Sequence, residues 1–271
     1  MNLSAVTKLM PLPAFQDNYI WLLVRGQLVV AVDPGSASAV EDYLQLHNLT
    51  LTHILVTHHH ADHTGGVQQL LDRHPQVQLI APQHHQYGHH PHSHLSDGEK
   101  MPLTEMNWSC TAIHTPGHTL DHVCYWLEDT HHLEAPILFS GDTLFAGGCG
   151  RLFEGSAEQM WQSLQSLRQL PACTRVCAAH EYTLNNLKFA CHYSNQDTHF
   201  RQRFVDVTNM RNLGLPTLPS SIEEENKSNV FLRADDDRLK SVWQSFGLSA
   251  NASPVETFNW LRQAKNHFPS C

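Results

Sequence analysis

Thr57-His58-His59-His60-Ala61-Asp62-His63-Thr64-Gly65-Gly66 is the stretch whose reading decides the fold. It follows a short apolar run, His53 to Thr57, patterned as a buried strand. It precedes Val67 to His74, patterned as a helix. If the chain stays extended through the histidines, alternation puts His58 and His60 on one side and turns His59 away. The turn into the helix then brings Asp62 and His63 round, and Gly65 and Gly66 let the backbone pass close to whatever sits there. Three imidazoles and a carboxylate at this density suit zinc or another borderline first-row metal ion. A polar loop with incidental histidines would account for one pair, but not for four ligands in register at a strand-to-helix turn.

The pattern extends in both directions. Leu28 to Asp33 reads as a strand, Ala37 to His47 as a helix, and Val77 to Ala81 as another strand. Thr111 to His114, His122 to Leu127 and Ile137 to Ser140 follow as further strands. Strands mixed with helices in this way predict sheets covered by helices, an α/β or α+β layered fold. From about Tyr182 the strand signals fade. The last segment, Pro254 to Phe268, places Val255, Phe258, Leu261 and Ala264 on one helical face. The expected organisation is a catalytic domain over residues 1–181 and a smaller α-helical domain over 182–271. The acidic runs Glu223 to Glu225 and Asp235 to Asp237 read as solvated surface or helix-start residues.

Bulk composition narrows the function classes. A chain of 271 residues, 41% hydrophobic and 16% charged, can bury a full core without staples. A net charge of −9 argues against a nucleic-acid partner, which would want clustered Lys and Arg. The strongest apolar run, Tyr19 to Val24, is far too short to span a bilayer. No secretory pattern opens the chain, and its seven cysteines are odd in number and without framework spacing. Reduced thiols in a cytoplasmic protein are therefore expected.

Three further segments carry metal-type ligands. Pro116-Gly117-His118-Thr119, Ser140-Gly141-Asp142-Thr143 and Ala178-Ala179-His180-Glu181 each set one directly after an apolar run. Taken singly, Asp142 could cap a helix and His118 could bond a backbone carbonyl. Jointly, residues at the ends of successive strands converge on one edge of a layered fold.

His-x-His-x-Asp-His, then Gly-His, Gly-Asp and a late His, resembles the metallo-β-lactamase superfamily. Longer strings narrow the resemblance to the hydroxyacylglutathione hydrolase family, also called glyoxalase II. They are Gly141-Asp142-Thr143-Leu144-Phe145, Gly147 to Gly155, and His180-Glu181-Tyr182-Thr183-Leu184. The likeness runs from Asp17-Asn18-Tyr19-Ile20 to Trp260-Leu261-Arg262-Gln263-Ala264-Lys265. It implies an αββα metallo-β-lactamase sandwich with a smaller C-terminal helical domain. It also implies two divalent metal ions, zinc by default, with iron or manganese fitting the same ligands. By resemblance, one ion takes His58, His60 and His118, the other Asp62, His63 and His180, and Asp142 bridges both.

The implied reaction is hydrolysis of S-D-lactoylglutathione to D-lactate and glutathione, the second step of methylglyoxal degradation. A hydroxide bridging the metals would attack the thioester carbonyl, with Asp62 serving both as ligand and as the group orienting it. The leaving thiol, with a pKa of about 8.5, needs little acid assistance. Glutathione carries two carboxylates, and the resemblance places Arg151, Phe153, Tyr182, Arg262 and Lys265 around it. Some relatives have Tyr at Phe153 and Lys at Arg151. The partner expected is the glutathione thioester alone, with no nucleic acid, no membrane and a monomeric chain. Another binuclear-metal hydrolase of the superfamily and a non-catalytic histidine-rich metal-binding protein remain as alternatives. The histidine-rich stretch His84 to His94 reads as a surface loop, with adventitious or regulatory metal binding as its sharper reading.

Overall fold

Buried apolar strands build the first sheet. β1 (Lys8–Ala14), β2 (Asn18–Arg25) and β3 (Leu28–Val32) pair antiparallel in that order. The chain here is a computed structural model that describes residues 7–83, 87, 89–131 and 134–269. After β3, α1 (Ala37–His47) carries the chain back so that β4 (Thr50–Leu55) lies parallel to β3. The helices α2 (Ala61–Thr64) and α3 (Val67–Arg73) do the same for β5 (Gln78–Ile80). Parallel neighbours need such crossovers, and strands covered on both faces read as unbroken apolar runs. Val29, Val30, Ala31 and Val32 are such a run, with at most 2% exposure. β1 carries Pro11 and Pro13 and sits at the sheet edge, the place where missing N–H donors are tolerated.

Local signals fix the helix ends. Ser36 Oγ accepts from Ala39 N at the start of α1, and Asn48 closes it in the left-handed region. β3 stops one residue short of the expected Asp33, because Asp33 turns into the left-handed region (φ 51°) and sends its carboxylate inward. β4 begins at Thr50 and ends at Leu55, so Val56 and Thr57 already belong to the turn.

The second sheet is an antiparallel meander of β6 (Lys100–Leu103), β7 (Trp108–His114), β8 (Val123–Asp129) and β9 (Ile137–Gly141). Tyr125 on β8 donates its buried hydroxyl to Val56 O at 2.8 Å, tying this layer to the loop after β4. These elements pack as one unit, comprising residues up to His114 together with Asp121–Gly141.

Thr115–Leu120 and the residues from Asp142 onward pack as a second unit. It opens with the hairpin β10 (Leu144–Phe145) and β11 (Gly148–Cys149). α4 (Ala157–Leu167) starts from a capping box formed by Ser156 and Gln159. β12 (Arg175–Ala178) pairs with the two-residue β13 (Ser220–Ser221). Helices dominate the rest, as expected: α5 (Thr183–Ser194), α6 (Thr198–Asn212), α7 (Ile222–Ser228), α8 (Asp237–Trp243) and α9 (Pro254–Asn266). Phe189, Phe200, Phe231, Trp243, Phe258 and Leu261 form its core.

The acidic run on α7 departs from the surface reading. Glu223, Glu224 and Glu225 do occupy the first turn, but Glu225 is fully buried against Arg203. Within the histidine-rich stretch, His84 and His85 lie outside the described residues. Of the others, His90 bonds Asp72 at 2.8 Å. Among the described residues, no helix is long and apolar enough to cross a membrane.

Candidate metal centre

In the first unit, the turn after β4 gathers the four expected ligands. His58 Nε2 lies 3.0 Å from His60 Nδ1, and the rings of His58 and His63 are 4.1 Å apart. His63 Nε2 lies 3.5 Å from Asp62 Oδ2, an oxygen that also accepts from Asn18 Nδ2 at 2.9 Å. His58 and His63 are buried, whereas Asp62 keeps 42% of its side chain exposed. His59 turns away, as alternation predicts, and meets Asp121 at 3.3 Å. Gly35 makes this turn possible: a Cβ there would stand 1.9 Å from the carbonyl oxygen of Asp62.

Asp33 organises the same turn, and the sequence reading did not single it out. Its Oδ1 accepts from Thr57 N at 2.7 Å. Its Oδ2 accepts from the Thr57 hydroxyl at 2.7 Å and faces His63 Nδ1 at 3.0 Å. An ionised carboxylate can only accept, so Nδ1 of His63 carries the proton and Nε2 is left with its lone pair. The Thr57 hydroxyl, having donated to Asp33, accepts from His58 Nδ1 at 3.0 Å and imposes the same tautomer there. A signal was available: Asp33 follows an apolar run and precedes Pro34-Gly35, the kind of strand-end position also held by Asp142.

In the second unit, Asp142 stands between two imidazoles. Its Oδ2 lies 3.4 Å from His118 Nε2 and its Oδ1 lies 3.4 Å from His180 Nε2. All three residues are buried. Each carboxylate oxygen thus faces a different histidine. His118 donates from its other nitrogen, Nδ1, to Arg151 O at 2.8 Å, which again puts the lone pair on Nε2. Gly150 has no room for a side chain: a Cβ would lie 1.9 Å from Asp142 O and 3.2 Å from His118 Nδ1.

The donor chemistry fits divalent cations. Imidazole nitrogens and carboxylate oxygens, without thiolate, suit zinc, iron or manganese. A carboxylate as buried as that of Asp142 is costly unless positive charge stands nearby.

The residues assigned to substrate lie in the second unit and differ in character. Arg151 is exposed, and Phe153 is 64% exposed with its ring edge-on to His118 at 5.2 Å. Tyr182 stacks flat on His180, 4.7 Å between centroids. Lys265 Nζ donates to Asn185 O at 3.0 Å. Arg262 is buried, at 3% exposure, and gives Nη1 to Cys149 O at 2.7 Å.

Residues 15–180 match the model of the metallo-beta-lactamase superfamily, and residues 181–268 match that of the hydroxyacylglutathione hydrolase C-terminus. The chain is 43% identical to a hydroxyacylglutathione hydrolase of Aeromonas salmonicida over 259 residues, covering 94% of this chain and 97% of that one. It is 44% identical to one of Shewanella halifaxensis over 268 residues, covering 95% and 98%. Among solved structures, a metallo-beta-lactamase from Staphylococcus aureus superposes with a TM-score of 0.61 at 19% identity. It covers 98% of this chain and 72% of that one, a likeness of fold alone. ETHE1 from Myxococcus xanthus gives 0.54 at 26% identity, covering 82% and 98%.

Proposed function

The chain belongs to the hydroxyacylglutathione hydrolase family of the metallo-β-lactamase superfamily, and from that membership we propose that it hydrolyses S-D-lactoylglutathione to D-lactate and glutathione. The observation that carries this reading is similarity over nearly the whole chain to hydrolases of that name. A shared fold alone would leave lactams and other esters equally open.

The histidine and aspartate clusters are ligands for divalent metal ions. In our assignment His58, His60 and His118 hold one, Asp62, His63 and His180 hold the other, and Asp142 bridges them. Zinc is our choice of metal. Support for the bridge is the separate approach of the two Asp142 oxygens to His118 and His180. When bound, two such ions supply an activated water at neutral pH and a Lewis acid for the thioester carbonyl. Asp62, held by a hydrogen bond from Asn18, would orient such a water. Asp33 and Thr57 keep protons off the ligating nitrogens of His58 and His63. The departing thiolate leaves without a dedicated acid, its conjugate thiol having a pKa of about 8.5.

For the glutathione moiety we assign Arg151 and Lys265 to its carboxylates and Phe153 and Tyr182 to its flank. Arg262 completes this group from beneath. Residues 1–181 would then serve catalysis and 182–271 substrate binding, a division supported by where the two family models meet. We place the protein in the cytoplasm, where glutathione is the abundant thiol and where cysteines stay reduced. No disulfide joins the described cysteines. A monomer suffices, since one chain carries all seven ligand residues.

Loss of thioester absorbance on adding the purified protein to S-D-lactoylglutathione tests the reading. Hydrolysis that disappears with a chelator and returns with zinc supports it. An inactive metal-loaded protein would reject this substrate.

A further inference from the structure

Residues 142–151 do two jobs at once in the second unit. Asp142 opens the segment, and the Arg151 carbonyl near its end accepts the Nδ1 proton of His118. The intervening hairpin, β10 and β11, pairs two residues on each strand, and Gly147 at its tip has φ 67°. What fixes its shape comes from the helices that follow.

Glu225 Oε2 accepts from Gly147 N at 2.8 Å. Asn229 Nδ2 donates to Gly148 O at 2.9 Å and to Phe145 O at 3.2 Å, and it also reaches Glu225 Oε2 at 3.0 Å. Asn186 Nδ2 donates to Ala146 O at 3.1 Å. Arg262 Nη1 donates to Cys149 O at 2.7 Å and reaches Gly150 O at 3.5 Å. These four side chains are buried, and Glu225 and Asn229 have no exposed surface. Backbone groups of six consecutive residues, Phe145 to Gly150, are thus taken by side chains from α5, α7, α9 and the residue after α7. Such groups need partners when buried, but a loop needing only satisfaction would not draw a buried carboxylate to its tip and a guanidinium to its end.

We propose that Asn229 and Arg262 are positioning residues of the metal centre. They act through the hairpin, setting where Asp142 begins it and where the Arg151 carbonyl meets His118. The C-terminal helices then present metal ligands as well as substrate groups, and Arg262 holds the hairpin in addition to its place among the substrate residues. The inference rests on the metal assignment above.

Asn229→Ala and the milder Arg262→Lys test it. Metal retention is measured by chelator competition in the absence of substrate, beside kcat, KM and the melting temperatures of the metal-free and zinc-loaded forms. Groups that orient a metal ligand typically contribute 10–100-fold to metal affinity. The expected result is about that loss in Asn229→Ala, a smaller one in Arg262→Lys, and a narrower gap between metal-free and loaded melting temperatures. A purely structural role would lower both melting temperatures together and leave the gap intact. Metal retention within about twofold of the unsubstituted protein in both variants would overturn the proposal, and a raised KM in Arg262→Lys would then report substrate contact alone. An unsubstituted protein that takes up no metal would overturn the metal assignment as well.

Discussion

Asp33→Asn conserves volume and changes one atom, yet it should reach both metal sets. The substituted amide keeps a single acceptor. Thr57 N–H, fixed by the backbone and 2.7 Å from Oδ1, has the stronger claim on it. The NH2 group then occupies the place of Oδ2, facing the Thr57 hydroxyl and, at 3.0 Å, His63 Nδ1. His63 must accept at Nδ1, so its proton moves to Nε2, the nitrogen needed for metal. The Thr57 hydroxyl must also accept, and its proton swings toward His58 Nδ1, 3.0 Å away, which drives His58 to the same unproductive tautomer. His58 and His63 belong to different ligand sets in the assignment. Each ion should therefore bind about 10–100-fold more weakly, equivalent to about 1.4–2.7 kcal/mol per site. Chelator titration followed by metal analysis, with near-ultraviolet circular dichroism to confirm the fold, measures this directly. Two equally weakened sites in a folded protein are expected. Loss confined to one site would refute the relay through Thr57, and unchanged affinity at both would refute the role of Asp33 altogether.

Other perturbations address the pocket and the scaffold. Phe153→Tyr returns a hydroxyl to an exposed ring; it should lower KM roughly three- to tenfold, the yield of one hydrogen bond, with kcat unchanged in steady-state assays. Burial pushes the thiols of Cys110, Cys177 and Cys149 up, the last partly offset by Arg262. A thiol reagent at neutral pH should therefore label exposed Cys173 in the folded protein and reach those three only in denaturant, as mass spectrometry would report. Burial alone would raise Asp236, but its bond to Arg233 and the backbone donors of α8 hold its carboxyl below the usual range. A depressed folded-state pKa stabilises above the unfolded value and loses that stabilisation as pH falls through the folded one. Asp236→Ala should cost about 1 kcal/mol at neutral pH, and urea melts should show the deficit vanishing in strong acid.

Most of the catalytic layer was legible because its signals are local. α1 was predicted with its observed bounds since Ser36 and Asn48 mark its ends and Val40 and Leu44 its buried face. The spacing of His58, His60, Asp62 and His63 pointed to metal ligands, and the structure gathers these four side chains at one turn. β1 stayed hidden because Pro11 and Pro13 contradict strand propensity, and only its place at the sheet edge resolves the conflict. The α4 pattern, with Met160, Trp161, Leu164 and Leu167 after a Ser156 cap, was readable and went unread. Asp33 left a strand-end signal, but the partners of the residues that steady the ligands were beyond sequence. Asp33 meets His63 across 30 positions and Glu225 meets Gly147 across 78, separations that only the folded chain closes. Composition made Glu225 look like surface charge, although burial beside Arg203 makes it part of the core.

Stepwise addition of zinc to the metal-free protein, with turnover of S-D-lactoylglutathione recorded at each addition, bears most directly on the two-metal thioester hydrolase. Activity should climb until about two equivalents are bound per chain, two being the number that the seven ligands sharing Asp142 can hold, and then stop. Full turnover at one equivalent would contradict the bridged pair, and none at two would contradict the reaction itself.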